Sequence, residues 1–476
     1  MIRRRLNKVR DESGFALVSV LVLLMVGTLF ALAAWSTSKA DIKPVAQDRY
    51  SKQAYAAAEA GINYYLFRLG QNNAYWSDCD QVAPPNATEQ NPVNLAGAST
   101  LRWRTVPGTT ASYAIELMPQ NGVSPTGTWC TPGGTAAASL LDSSSGTLQI
   151  RSTGQANGYR RSVVATLRRS GFLDFLYFTD YETQDPQVTG SNAVCNVYRR
   201  AGRSSSCSSI VFASDDAVNG PFHTNDDILV CGTPDFGRTA ADSIEVSAPP
   251  TGYSSGCGGS ASPNFKGTWA TNAKILTMPA SNSTLQDVAQ PGYLFSGTTQ
   301  ITLKTNGFFD VTNGGTTTTN KQWPPNGVIY VKAGTGTNCA PAHSAPQTYN
   351  EPACTANVYV KGDYSKSITI GAANDVIVAD DFKRVAGANA LAGLIANYFV
   401  RVYHPVTTSG CNDAASGPFG AAPGAVQIDA AILSVGHSFI VDNYNCGSPQ
   451  GTLTVNGAIA QTYRGPVGTG GSTISS

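Results

Sequence analysis

One apolar run, from Phe15 to Trp35, constrains this chain more than any other feature: 21 residues carry no charge and precede more than 400 residues of polar chain. A secretory signal has an apolar stretch of about 7–15 residues, whereas a helix crossing about 30 Å of hydrocarbon needs about 20. The run is therefore expected to stay in the mature protein as a membrane-spanning helix. Arg3, Arg4, Arg5, Lys8 and Arg10 outnumber Asp11 and Glu12 ahead of it, which holds the leader on the cytoplasmic side, with Trp35 at the far interface. Everything beyond Trp35 is expected to be extracytoplasmic.

A length of 476 residues calls for two or three folding units. Only 13% of the residues are charged, with 48 Gly and 26 Pro, while 42% are hydrophobic. That balance suits a loop-rich, all-β extracellular protein and argues against disorder. Removing the first 14 residues shifts the net charge from +1 to −2. A near-neutral body offers no basic footprint for nucleic acid.

The ten cysteines are Cys79, Cys130, Cys195, Cys207, Cys231, Cys257, Cys339, Cys354, Cys411 and Cys446, with no CxxC pair among them. Zinc sites favour close pairs, so the spacing points to disulfides formed in an oxidising compartment. Neighbours in sequence are expected to pair, although the spacing alone leaves other connectivities open.

The basic leader ends in Ser13-Gly14, and Phe15 opens the apolar run. This junction resembles the leader of type IV pilins and pseudopilins. The resemblance implies that a prepilin peptidase cuts between Gly14 and Phe15 and that the new terminal Phe15 is N-methylated. It also implies a helix that first anchors the chain in the cytoplasmic membrane, then packs against other pilin or pseudopilin subunits through Ala16, Leu17, Val18, Ser19, Val20 and their neighbours. Most major pilins have glutamate as the fifth mature residue, and here that place holds Ser19. Its absence is typical of minor pilins, PilX-type subunits included, and of the large pseudopilin at the filament tip. "AAAEAG" around Glu59 also resembles the helix end of PilX-like N-terminal domains.

The helical pattern continues past the membrane. Ala54, Ala58, Ile62, Leu66 and Leu69 recur at three- and four-residue spacing, with Gly70 as a C-cap and a kink expected at Pro44. Ala56, Ala57, Ala60 and Gly61 would let a sheet approach closely. Strand patterns follow in "STLRWRTV", "SYAIELM", "GTLQIRST" and "YRRSVVATLRR", the last two joined by "GQANG" as a hairpin. Beyond residue 170 come short apolar runs such as "GVIYVKAG", "NDVIVADD" and "LAGLIANYFVRVY" between Asn, Asp and Gly turns. Three of them end in Val218-Asn219-Gly220, Val360-Lys361-Gly362 and Val455-Asn456-Gly457.

The expected fold is an α+β pilin-like unit, a long helix on an antiparallel sheet, followed by an all-β domain. Near-continuous apolar strands favour a parallel β-helix for that domain over a β-sandwich. The boundaries read 1–14 leader, 15–35 membrane or filament-core helix, 36–70 amphipathic continuation, 71–170 antiparallel β region, 171–464 disulfide-containing β domain and 465–476 flexible tail.

Chemistry is sparse. "GYSSG", 252–256, matches the nucleophile-elbow pattern but is flanked by loop sequence instead of the strand and helix an elbow needs. His223, His343, His404 and His437 lie far apart and outside any paired ligand motif. Asp180, Glu182 and Asp185, with Asp226 and Asp227, are weak Ca²⁺ candidates, since aspartate in turns usually bonds its own backbone. Asp375, Asp380, Asp381, Lys383 and Arg384 read as turn and surface residues. The expectation is a non-enzymatic, cofactor-free minor pilus or pseudopilus subunit that displays a large domain at the cell surface for assembly or adhesion to a receptor or glycan. The alternative is a membrane-anchored β-helix enzyme or adhesin acting on surface polysaccharide outside any filament.

Overall fold

The computed structural model describes residues 13–72, 75–77, 91–119, 140–142, 147–168, 171–339, 347–407, 411–414, 417–468 and 473–475. The chain divides into two compact units, Met1–Arg169 and Ser170–Ser476.

In the first unit a helix of 59 residues, α1 (Ser13–Gln71), runs unbroken through Gly27 and Pro44. At 1.5 Å per residue it is about 90 Å long. Its second half lies on a six-stranded sheet whose longer strands are β1 (Val93–Leu95), β2 (Ser112–Met118), β3 (Thr147–Ala156) and β4 (Tyr159–Arg168), with the two-residue strands Arg104–Thr105 beside β2 and Leu141–Asp142 beside β3. β2, β3 and β4 are antiparallel neighbours, but β1 joins β2 in parallel, with Val93 opposite Ile115, so the sheet is mixed. The β3–β4 turn is two residues, Asn157 and Gly158, both at positive φ, the conformation that matches the twist of a tight hairpin.

The buried stripe of α1 is Ala54, Ala57, Ala58, Gly61 and Tyr65. Ile62 and Leu69 are only half-buried, while Ala56 and Leu66 are exposed, which corrects the apolar face expected from the sequence. Close approach decides the face, not side-chain size. A Cβ on Gly154 of β3 would stand 2.0 Å from the Ala54 carbonyl oxygen, so helix backbone rests almost directly on strand backbone there. Gly70 is no C-cap: the helix passes it to Gln71, and its φ is not positive.

The second unit is all-β with largely parallel sheets. Its spine is a ten-stranded parallel sheet of β5 (Tyr177–Tyr181), β6 (Phe222–Thr224), β7 (Ser243–Val246), β8 (Thr268–Ala270), β9 (Leu294–Ser296), β10 (Val328–Lys332), β11 (Ile368–Ala372), β12 (Ala392–Ala396), β13 (Ala431–Ser434) and β14 (Ile459–Tyr463). The spatial order is β8-β7-β6-β5-β14-β13-β12-β11-β10-β9. The strands thus form two arcs that meet where β14, the last, pairs with β5, the first. One inward ladder crosses both arcs, Ile329–Ile370–Leu394–Ile432–Ile459–Tyr177–Phe222–Ile244–Trp269. It is aliphatic in the second arc and largely aromatic in the first, where Tyr177 and Phe222 stack at 5.1 Å.

In the first arc β5, β6 and β7 are each followed by strands that build two further parallel sheets. Phe212–Ala213, Ile228–Cys231 and Tyr253–Ser255 form one; Ala217–Asn219, Asp235–Phe236 and Asn264–Phe265 belong to the other. In the second arc the chain returns instead to a nine-stranded sheet, which ends in an antiparallel meander of Thr299–Leu303, Phe308–Asn313 and Thr316–Gln322. Between the arcs, residues 271–293 run back along the spine. Asn225 exchanges two hydrogen bonds with the Leu276 backbone, and Asn282 donates to the Ala372 and Ile395 carbonyls.

Two expectations are overturned here. Thr473–Ser475 is a strand paired in parallel with Ala217–Asn219, so the segment after 464 is not simply a flexible tail. Asp380, Asp381, Lys383 and Arg384 sit within the strand Val376–Arg384 and not in a turn. Cys195–Cys207, Cys231–Cys257, Cys339–Cys354 and Cys411–Cys446 are bridged; Cys79 and Cys130 lie outside the described residues.

Candidate functional site

The first half of α1 has the chemistry of a packing surface without a partner. Leu17–Ser36 is the one span among the described residues long and apolar enough to cross a membrane, with a mean hydropathy of 2.7 and no part of its window buried. Leu17, Val18 and Val20 are each more than half exposed, whereas Ser19 is partly shielded. Two hydroxyls along the span are satisfied within the helix: that of Thr28 donates to the Met25 carbonyl and that of Ser36 to the Ala33 carbonyl, both at 2.8 Å. This leaves a continuous hydrocarbon surface with no orphaned backbone partner inside it, as lipid or a bundle of like helices requires.

The Ca²⁺ candidates are engaged otherwise. Asp226 pairs with Arg203 and accepts from the amides of Glu182 and Arg199. Asp227 pairs with Arg199 at 2.7 Å, and Glu182 faces Arg464 at 3.5 Å. Asp180 accepts from Asn225 and Tyr198. Asp185 caps the short helix Pro186–Thr189 through the Gln187 amide and meets His437 Nδ1 at 2.7 Å. Arginines, amides and hydroxyls occupy most of the lone pairs that a cation would need, while the buried Glu182 Oε2 and Asp227 Oδ1 accept no hydrogen bond. Among the described residues no group of three His, Cys, Asp or Glu side chains is arranged to hold a metal. Burial raises the Asp180 and Glu182 carboxyls, Arg464 partly offsetting the latter; Asp227 is pushed up to about 6 by burial and then by the Asp226 charge.

The three described histidines are packed, each beside a carboxylate. His223 lies between Glu245 and Asn225, against Phe175 and Phe178. His404 bridges Asp413 and the Asp442 carbonyl; His437 stacks on Tyr398 and Phe399. His343 lies outside the described residues. The flanks of "GYSSG" are bends with no helix after them; within it Tyr253–Ser255 is a short strand paired with Ile228–Val230, and Ser254 accepts from Arg199, with no histidine partner among the described residues.

The sequence reading missed one buried charge cluster. Arg401 is fully buried, 3.2 Å from Glu351, 3.2 Å from Asp375 and 3.5 Å from Asp442, with its guanidinium over the Tyr349 ring. Burial works to lower its pKa, but Asp442 and Asp375 more than offset that and raise it. The signal was available in "YFVRVY", where a lone arginine interrupts an apolar run.

Comparison with known proteins bears on α1. The family model described as PilX N-terminal matches residues 13–63, which takes in the exposed apolar half of the helix and much of the half beneath the sheet. The chain carries a PilX-type N-terminal region. The match covers 51 of the 476 residues and speaks for that region alone. No curated protein matches the chain. Among solved structures, the competence-associated pilin ComZ from Thermus thermophilus aligns over 90% of this chain and 92% of its own at 12% identity, with a TM-score of 0.27, too low to establish a shared fold.

Within the PilX-type region, Gly14 and Phe15 fall in the first turn of α1, which begins at Ser13; their side chains, like that of Ala16, lie outside the described residues. Between Phe15 and Ser38 the helix carries no ionisable side chain. Contacts with neighbouring helices along this stretch would therefore be apolar, small-residue or hydroxyl contacts.

Proposed function

We propose that this protein is a minor subunit of a type IV pilus-like or pseudopilus filament. A prepilin peptidase would cut between Gly14 and Phe15, with methylation of Phe15. The chain would first sit as a single-pass protein in the cytoplasmic membrane, then enter the filament through side-by-side packing of α1. The second unit, outside the membrane, would serve assembly or attachment to a surface receptor or glycan by binding and not by catalysis. The observation that carries this reading is the bare apolar surface of Leu17–Ser36, continuous with a helix half that a sheet covers.

Low copy number follows from two features. Ser19 cannot supply the charged docking group of a main subunit, which would be costly in hydrocarbon unless paired. A second unit of about 300 residues is also bulky for every position of a thin shaft. We further infer that the second unit is a parallel β-helix in which the recurring strands are successive turns; the in-register inward ladder supports this.

Intact mass and N-terminal peptide analysis of protein from its native membrane tests the reading. The expected mature chain begins at N-methyl-Phe15, and Gly14→Val is expected to abolish that product. A chain that retains Met1 and never co-purifies with filaments overturns it.

A further inference from the structure

The seam between the two arcs is closed along only one wall. In the spine, β14 pairs with β5 and the ladder continues. Elsewhere Phe212–Ala213 ends its three-stranded sheet and Phe439–Val441 ends the main path of the nine-stranded sheet, each without a strand beyond it among the described residues. A cavity of about 880 Å³ remains there, lined by Phe212, Val218, Val402, Phe439 and Leu453 and, on the side of the chain that follows β14, by Arg464 to Gly468. It has a topological origin. The unit's chain enters at β5 and leaves at β14, so no full turn of chain connects these neighbours on the other walls.

What enters the seam is the chain that follows β14. The Arg464 amide donates to the carbonyls of Tyr181 and Thr183, and the Val441 amide donates to Pro466 O at 3.1 Å. Val467 packs against the apolar core of the second arc. Gly465 is so close to the end strand that a Cβ there would stand 1.8 Å from Phe439 O, whereas one on Gly468 would meet nothing within 4 Å. Thr473–Ser475 then extends the sheet of Ala217–Asn219. Residues 465–476 contain no charged side chain, as a segment laid across exposed strand edges and an apolar floor should.

We propose that the segment after Arg464 is a separable strand donor, and that the seam is an acceptor groove for extended, uncharged chain that this segment fills in cis. The donor supplies, in two short pieces, part of the missing turn. Among the described residues it is held by the Gly465 and Val441 amide bonds, the Val467 contact and the Thr473–Ser475 pairing, short attachments against the ladders on either side, so it can leave while the arcs stay folded, exposing the Phe439–Val441 and Ala217–Asn219 edges.

Full-length Gly465→Val, with Gly468→Val as its control, tests separability. In the Gly465 variant the C-terminal segment is expected to be cut at least tenfold faster by proteinase K, and the dye ANS to fluoresce several-fold more. Far-UV circular dichroism and the four bridges should stay as in the parent, and Gly468→Val should change none of these. A chain ended at Arg464 is then offered a labelled synthetic peptide of residues 465–476. The peptide is expected to bind that chain at least tenfold more tightly than the full-length protein and to suppress its ANS signal. The proposal is overturned if Gly465→Val behaves as the parent, or if the peptide fails to bind the shortened chain. It is equally overturned if Gly465→Val and the shortened chain both lose their β signal, since the segment would then be an integral turn.

Discussion

Asp227 sets a pH dependence that its neighbours do not cancel. Its carboxyl is raised from 3.8 to about 6, by burial first and by Asp226 second, in spite of Arg199 at 2.7 Å. A folded pKa above the unfolded one means that the folded state holds its proton longer. Its contribution to stability is therefore full below about pH 4 and is lost as the pH rises toward 6. With partial solvent screening the loss is on the order of 1 kcal/mol. Asp227→Asn is expected to remove this slope, so thermal melts from pH 4 to 7 should show parent and variant diverging below pH 6 and running parallel above it. Arg401 is the opposite case, a cation required by three carboxylates. Arg401→Met leaves Glu351, Asp375 and Asp442 facing one another and is expected to cost about 3–5 kcal/mol in urea unfolding. Adding Asp442→Asn should recover part of that loss. Sequence could mark Arg401 as a buried charge, because an arginine inside an apolar run has few other fates. It could not name Glu351 or Asp442, since each lies about 40 or more positions away and pairing is a property of the folded stack.

Elements were most legible where one period dominates. "SYAIELM" and "YRRSVVATLRR" alternate, and the strands Ser112–Met118 and Tyr159–Arg168 follow those stretches closely. α1 was legible as a helix but not in its facing. Leu66 fits the apolar period yet is 45% exposed, while Ala54, Ala58 and Gly61 face the sheet. Hydrophobic period assumes that larger apolar side chains go inward; here the sheet presents a glycine, and only small residues fit against it. Gly154→Val therefore tests the joint. Its Cβ would meet the Ala54 carbonyl and the Ala58 amide at 2.0 and 2.4 Å, groups that cannot move without unwinding the helix. The expected cost is about 2–4 kcal/mol, read as earlier loss of the 222 nm helix signal. The melt of the second unit should not move. A shift in both melts would mean that the two units unfold together.

At the scale of the whole second unit, the discordant feature is strand order. Short apolar strands with turn residues suggested parallel stacking, but no local pattern could reveal that the first and last strands are neighbours, because that pairing joins segments nearly the whole unit apart. The order becomes simple if the chain is rotated: starting at β9, running through β14 into β5 and ending at β8, each strand would lie beside its successor. The sole obstacle is the connector 271–293, which spans from one end of the spine to the other. It is pinned through Asn225 on one side and Asn282 on the other, with Pro279 and Ala280 between these anchors. A circular permutant of residues 170–476 that joins Ser476 to Ser170 and opens between Pro279 and Ala280 is therefore expected to keep the four bridges, the β signal and a melting temperature within a few degrees of the parent. It should also refold faster, since the β5–β14 pairing no longer requires closing a loop of the whole unit. Opening instead within β11, where Ile370 is fully buried, should prevent folding. If the 279/280 permutant also failed, the connector would be holding the arcs together, and the β5–β14 ladder with its aromatic and aliphatic ladder contacts would be insufficient to join them.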